Sequence, residues 1–229
     1  MAEIIIVDDE RTNRRILRAH LEREDHRVLE AESEGETVAL LENRAAPDLL
    51  IVDLHLKEAS GVELLRHLRA DPIFGPLPAL FFSAVPEREA VLMAAGLGII
   101  EFLAKPLNTA RLRHGVGTAV ARNWMQNLFE DPVAVCRRLS TDREVYRDRA
   151  SRLFASLSKA IGPPPESAAK EPAAPSPERL ARDAAELGLS ILQPALEQWQ
   201  RDGAGAAAPP LLRRGATIAR LCHAFASRA

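Results

Sequence analysis

Five short apolar runs, each separated from the next by an amphipathic stretch, constrain this chain more than any other feature. The runs are IIIV (4–7), HRVLEA (26–31), DLLIVDL (48–54), PALFFSA (78–84) and EFLAKP (101–106). Between them, helix-like patterns fall near 12–23, 35–44, 60–70 and 86–95, and a fifth begins near Thr109. Runs too short for helices, alternating with helical periodicity, predict βαβ units wound into a parallel sheet. The expected fold of the first half is therefore α/β, a doubly wound five-stranded parallel sheet.

The first run ends abruptly in three acids, Asp8, Asp9 and Glu10. Carboxylates at the carboxyl end of a buried strand sit where open α/β sheets build their sites. Like charges packed this closely repel, and a hard cation would offset them. A helix N-terminus, where acids complement the dipole, is the other reading. The third run ends in Asp53, and strands one and three of such a sheet flank its switch point, so the three carboxylates should converge. Their chemistry suits Mg²⁺, which takes one or two carboxylates and accepts phosphate oxygens. The fourth run ends in a hydroxyl, Ser83, and the fifth in a cation, Lys105. A lone strand-end lysine is usually a solvated residue and a lone serine a turn former. Together, a carboxylate nucleophile, a divalent metal, a lysine and a hydroxyl can hold a phosphoryl group in transfer.

Charge divides the chain. Residues 1–107 carry 12 basic and 20 acidic side chains, net −8, and residues 108–229 carry 18 and 12, net +6. The basic residues of the second half are scattered, so nucleic-acid binding is allowed by composition but not indicated by a patch. With 47% hydrophobic residues the chain can build a packed core. No run reaches the roughly 18 apolar residues of a membrane span. The acidic start lacks the basic segment of a secretion signal. Cys136 and Cys222 stand far apart without metal spacing, so free buried thiols and a cytoplasmic location are expected.

The second half reads as all helical. Residues 109–129 predict one long helix, with Leu112, Val116, Val120, Trp124 and Leu128 at four-residue spacing. Asp131-Pro132 is an N-cap and first-turn pair, and Thr141 with Glu144 forms a capping box. Residues 162–177 form a Pro/Ala-rich linker, expected to stay extended. Ser176-Pro177 caps a helix towards Asp202, expected to break at Pro194, and a last helix covers about 211–227. Cys136, Leu139, Arg143, Tyr146, Ala150, Leu153 and Leu157 follow 3,4 spacing, which suits a coiled-coil seam or ordinary core packing. The expected division is 1–122, a helical extension over 123–161, the linker over 162–177 and a helical segment over 178–229.

Residues 1 to about 122 resemble the receiver domain of bacterial two-component response regulators, a flavodoxin-like fold. The resemblance is carried by VDDE with Asp8 and Asp9, IVDL with Asp53, Gly61 eight residues later, FFSA with Ser83 and Ala84, and FLAKP with Lys105. The spacings from Asp53, 30 residues to Ser83 and 52 to Lys105, agree with that family. The resemblance implies that Asp53 accepts phosphate from a sensor histidine kinase or a small phosphodonor. It implies that Asp8, Asp9, Asp53 and the backbone carbonyl of His55 hold Mg²⁺. Ser83, with Ala84, and Lys105 would receive the phosphoryl oxygens, and Phe102 would be the aromatic switch. Phe102 also reads as plain core. Such a chain assists its own phosphorylation and dephosphorylation without being an enzyme towards another substrate.

Departures from the pattern are specific. Lys57 stands where the family often has proline, and His55 and Val85 occupy positions that tend to set phosphoryl lifetime. Ile99 and Ile100 replace a common acidic pair. They offer an apolar edge for a partner or second copy, or simply lengthen a buried strand. The face expected to respond spans roughly 86–118. Residues 123–229 match no recognised output domain. A protein-contact output, with an unknown partner or a homodimer, is the first reading. A DNA-binding output is the second, and a phosphorelay step through His223 the third.

Overall fold

The structure is a computed structural model that describes residues 1–57, 60–84, 96–161, 175–202 and 208–228. Val85, the helix expected over 86–95 and most of the expected linker, 162–174, lie outside the described residues. The chain forms two compact units, Met1–Trp124 and Met125–Ala229.

The first unit is the expected sheet. Its strands are β1 (Glu3–Val7), β2 (Arg27–Ala31), β3 (Leu49–Val52), β4 (Ala79–Ser83) and β5 (Glu101–Ala104), all parallel, in the order β2-β1-β3-β4-β5. Its described helices are α1 (Arg11–Glu22), α2 (Glu34–Asn43), α3 (Gly61–Ala70) and α4 (Thr109–Arg122). β1, β3 and β4 are buried along their whole length, which is why they read as unbroken apolar runs. The edge strands β2 and β5 are partly exposed and carry charge. Polar caps start three of the described helices: Ser33 accepts from the Glu36 amide, Ser60 and Glu63 form a reciprocal box, and Asn108 accepts from the Arg111 amide. Register then aligns the strand ends. Val7 pairs with Val52 and Ser83 with Ala104, so Asp8 and Asp53 emerge side by side, and Lys105 next to Ser83.

Helix α4 is shorter than its periodicity predicts. It ends at Arg122 because Asn123 takes a left-handed conformation, φ 38°, a C-terminal stop that asparagine tolerates. Trp124 is then buried, and its indole N–H donates to Pro47 O at 2.8 Å. The ring also packs against Phe74, with centroids 6.5 Å apart.

The second unit contains α5 (Pro132–Arg138), α6 (Arg143–Ile161), α7 (Pro177–Glu186), α8 (Gln193–Asp202), α9 (Pro210–Arg213) and α10 (Gly215–Arg228), with the 3₁₀ turn Ser190–Leu192 between α7 and α8. Asp131 and Ser176 cap as expected. The cap of α6 is Asp142, which accepts from the Val145 amide at 2.8 Å, rather than Thr141. The expected break at Pro194 falls instead at Gly188, φ 66°. A Cβ there would meet Glu130 Cβ at 2.5 Å, so the turn needs glycine. Pro194 sits in the first turn of α8, where its missing N–H costs nothing. The 3,4 pattern is core packing within the unit: Tyr146, Ala150, Leu153 and Leu157 are buried, and α6 packs with α7 and α10. Both cysteines are free and buried. Burial pushes the Cys222 thiol up to about 11, and its sulfur lies 3.6 Å from the Tyr146 hydroxyl.

One guanidinium ties together the entrances of β4 and β5. Arg69 of α3 donates to the carbonyls of Gly75, Leu77 and Leu97, each at 2.8 Å. Burial lowers its pKa. Replacing it leaves carbonyls without their donor, a loss costlier than the net value of the bonds. Arg69→Met is expected to destabilise the first unit by about 2–3 kcal/mol, with Arg69→Lys intermediate. Hydrogen exchange of the sheet amides measures this.

Candidate functional site

At the carboxyl end of the sheet, Asp8, Asp9 and Asp53 each offer a carboxylate oxygen within 4.8 Å of the others. Asp8 is fully buried. Its Oδ1 accepts from the Glu10 amide at 2.8 Å and from Asn13 Nδ2 at 3.2 Å. Asp53 is buried too. Its amide donates to Val7 O at 2.8 Å, and its Oδ1 receives only a long 3.3 Å bond from the His55 amide. Lys105 reaches across from β5, with Nζ 2.6 Å from Asp53 Oδ2 and 3.2 Å from Asp8 Oδ2. The same ammonium lies 5.0 Å above the Phe82 ring, a cation–π contact that helps hold it. The Lys105 amide donates to Ser83 O at 2.8 Å, so the ends of β4 and β5 are coupled. Ser83 Oγ is buried with no hydrogen-bond partner among the described residues. A cavity of about 400 Å³ opens over these groups, bordered also by Glu10, His55, Leu56, Lys57 and Ala84.

Burial is the largest influence on Asp8 and raises its pKa; the Asp53 charge adds to this, while the bonds from Glu10 and Asn13 and the Lys105 charge oppose it. For Lys105, burial alone would lower the pKa, but the hydrogen bond and charge of Asp53, then those of Asp8, outweigh it, so its ammonium is held above the ordinary value.

Gly61, the first residue of α3, lets this site close. A Cβ there would stand 2.0 Å from Asp53 O and 2.9 Å from Val52 Cγ1. No substitution fits without displacing the backbone at Asp53. His55 is exposed and pairs with Ser60 in an isolated bridge.

The switch positions also have definite places. Phe102 is half-buried, and its ring packs on Phe81 of the neighbouring strand, with centroids 5.5 Å apart. Ile99 and Ile100 are both half-buried. Ile100 packs against the sheet core, and its amide donates to Ala79 O at 2.9 Å. His223 lies in the second unit, half-buried, with Nε2 2.9 Å from Ser151 Oγ.

One residue escaped the sequence reading. Arg14 is only 4% exposed; Nη1 donates to Asp8 O at 2.8 Å and Asp9 O at 3.3 Å, and the guanidinium pairs with Glu30 and Glu32. It fixes the loop that presents both acids. Its signal was its spacing: Arg14, Leu17 and Leu21 share the buried face of α1.

The donor set fits a small hard cation. All three carboxylates would offer oxygen donors, Asp8 is fully buried, and beside them the buried Ser83 hydroxyl has no hydrogen-bond partner among the described residues.

The family model for the response regulator receiver domain matches residues 4–116. Chemotaxis protein CheY-3 of Vibrio cholerae is 30% identical over 111 residues, covering 48% of this chain and 85% of that protein. The KDP operon transcriptional regulatory protein KdpE of Escherichia coli is 33% identical over 126 residues, 54% of this chain and 53% of that protein. The sensor histidine kinase AruS of Pseudomonas aeruginosa is 28% identical over 213 residues, 90% of this chain but 21% of that protein. The chain thus spans about half the length of the KdpE relative and a fifth of the AruS relative. A solved putative response regulator from Chloroflexus aurantiacus is 30% identical, covering 53% of this chain and 98% of that one, with a TM-score of 0.49. The chain belongs to the response regulator receiver family, the phosphorylation-dependent switches of two-component signalling. Among the described residues, no helix is long and apolar enough to cross a membrane.

The raised Asp8 pKa has a signed consequence. The folded state favours the neutral acid, so keeping Asp8 ionised costs stability. That cost is absent below the unfolded value and develops as pH rises through the raised folded value. Asp8→Asn is therefore expected to raise the melting temperature of the metal-free protein near pH 7. The advantage over the parent should shrink as pH falls from the raised folded value towards the ordinary carboxylate value and be gone below it, and calorimetry from pH 7 downwards measures both. The Lys105 pKa, also raised, shifts stability in the same direction with pH but in a higher window: its contribution is present at neutral pH and is lost as pH rises through its raised value.

Proposed function

We propose that Asp53 is the phosphoacceptor, taking a phosphoryl group from a sensor histidine kinase or a small phosphodonor. One observation carries this reading: Lys105 and two further carboxylates converge on a buried Asp53, beside a buried hydroxyl with no hydrogen-bond partner among the described residues. Asp8, Asp9, Asp53 and the carbonyl of His55 would hold Mg²⁺, which supplies charge neutralisation between the anionic acceptor and the anionic donor. Lys105 engages Asp53 Oδ2, which leaves Oδ1 the freer oxygen for attack on phosphorus. A phosphorus–oxygen bond forms there as the donor's bond to phosphorus breaks, and the electron pair leaves with the donor. Ser83 Oγ then donates to one phosphoryl oxygen, and Lys105 Nζ pairs with another.

The chain acts as a regulator rather than on a separate substrate, with residues 1–122 as the receiver and the helices of 123–161 and 178–229 as its output. That output works by protein contact, and the Ile99–Ile100 edge is the receiver's partner surface. Transfer through His223 is the weaker reading, because its Nε2 is engaged with Ser151. The basic residues of 108–229 are scattered along the sequence, which gives a DNA output no particular support. Cytoplasmic residence follows from a histidine-kinase donor.

With acetyl phosphate and Mg²⁺ the protein is expected to gain one base-labile acyl phosphate, read by intact-protein mass. Asp53→Asn should gain none, and stoichiometric labelling of that variant would refute the assignment. EDTA or Asp9→Ala should lower the labelling rate at least a hundredfold with circular dichroism unchanged. An unchanged rate in excess EDTA would remove the metal from the scheme.

A further inference from the structure

Each acid of the site is met by an ammonium. Lys105 serves Asp53 and Asp8 from a largely enclosed position, its side chain 19% exposed. The third acid, Asp9, is met by Lys57, whose Nζ lies 3.9 Å from Asp9 Oδ2. Lys57 differs from Lys105 in being 75% exposed, so charge rather than packing places it, whereas the Asp9 carboxylate is only 16% exposed. Lys57 and Asp9 also border an open groove that carries Glu32, Glu34 and Glu36 around the start of α2. Glu32 and Glu34 there already pair with Arg14 and His67, but the groove still lets the exposed ammonium leave Asp9 while staying near negative charge.

A divalent cation among Asp8, Asp9 and Asp53 would need the same Asp9 carboxylate. Two cations on one carboxylate repel at this range. We propose that Lys57 is a built-in competitor for the divalent cation: it occupies Asp9 in the metal-free protein, withdraws towards the acidic groove when the cation binds, and so sets the Mg²⁺ concentration at which the site loads. This rests on the metal reading above and adds to it a residue that tunes the cation threshold. Lys57 here is a positioning residue, since it acts through Asp9.

The test is the Mg²⁺ dissociation constant of the full chain by isothermal titration calorimetry, without phosphodonor, for the parent, Lys57→Met, Lys57→Arg and Asp9→Ala. Lys57→Met keeps the length of the side chain and removes its charge, and it should bind Mg²⁺ three- to tenfold tighter. Lys57→Arg should stay within twofold of the parent. The gap between the parent and Lys57→Met should narrow as KCl rises from about 20 to 500 mM, because an exposed pair is screened over a few ångströms at high salt. A purely structural role would show neither the rescue by arginine nor the salt dependence. If the parent binds and Asp9→Ala does not, while Lys57→Met matches the parent, the metal reading stands and the competitor is overturned. If the parent fails to bind, or Asp9→Ala binds as well as the parent, the metal reading fails and the competitor falls with it.

Discussion

Repulsion among three carboxylates gathered within 4.8 Å is the constraint on which the rest of the first unit depends. Left alone, such a cluster would drive the strand ends apart. The chain opposes this from several directions. Lys105 bridges two of the acids, and Arg14 clamps the carbonyls of the loop that carries Asp8 and Asp9. Gly61 lets the loop after β3 close over the backbone of Asp53. None of these strengthens the hydrophobic core. They hold a locally unfavourable arrangement in place, as functional sites commonly require. The raised pKa of Asp8 comes first from its burial, with the Asp53 charge a smaller addition.

How much was legible in the sequence follows from what each signal encodes. β1, β3 and β4 are buried on both faces, so burial itself wrote them as continuous apolar runs. The site acids were visible for the opposite reason: one acid after such a run can serve a helix N-terminus, but acids at the ends of two neighbouring strands, with a lysine and a hydroxyl at two more, exceed what a cap needs. The helix ends were harder. Four-residue spacing continues from Leu112 to Leu128, yet α4 stops at Arg122, because Trp124 and Leu128 are buried without belonging to that helix. Spacing reports burial, and a turn can bury the next residue as well as a helix can. Pro194 drew attention as a breaker, but a proline in the first turn is harmless, and the left-handed Gly188 makes the break instead. Arg14 was overlooked because charge is read as exposed. Only its place in the Leu17–Leu21 stripe marks it as buried.

The shortened α4 changes how a signal could leave the site. A helix running to Phe129 would have been a lever with Trp124 on its arm. Trp124 is instead an anchor, buried and bonded to Pro47 O at the amino-terminal side of β3. Transmission therefore has to use the strands themselves. β4 and β5 are restrained at both ends by different chemistry. At their entrances, Arg69 binds the carbonyls of Gly75, Leu77 and Leu97. At their exits, the Lys105 amide is bonded to Ser83 O. Capture of a phosphoryl group by Ser83 and Lys105 would pull on the exits while the entrances stay pinned. The two strands then pivot as a pair rather than slide. Phe81 and Phe102, cross-strand partners with rings 5.5 Å apart, lie between the pinned and the pulled ends. A ring so placed responds to the pivot because its packing partner belongs to the neighbouring strand. The contact itself is core packing between neighbouring strands, and a switching role for Phe102 would have to act through it.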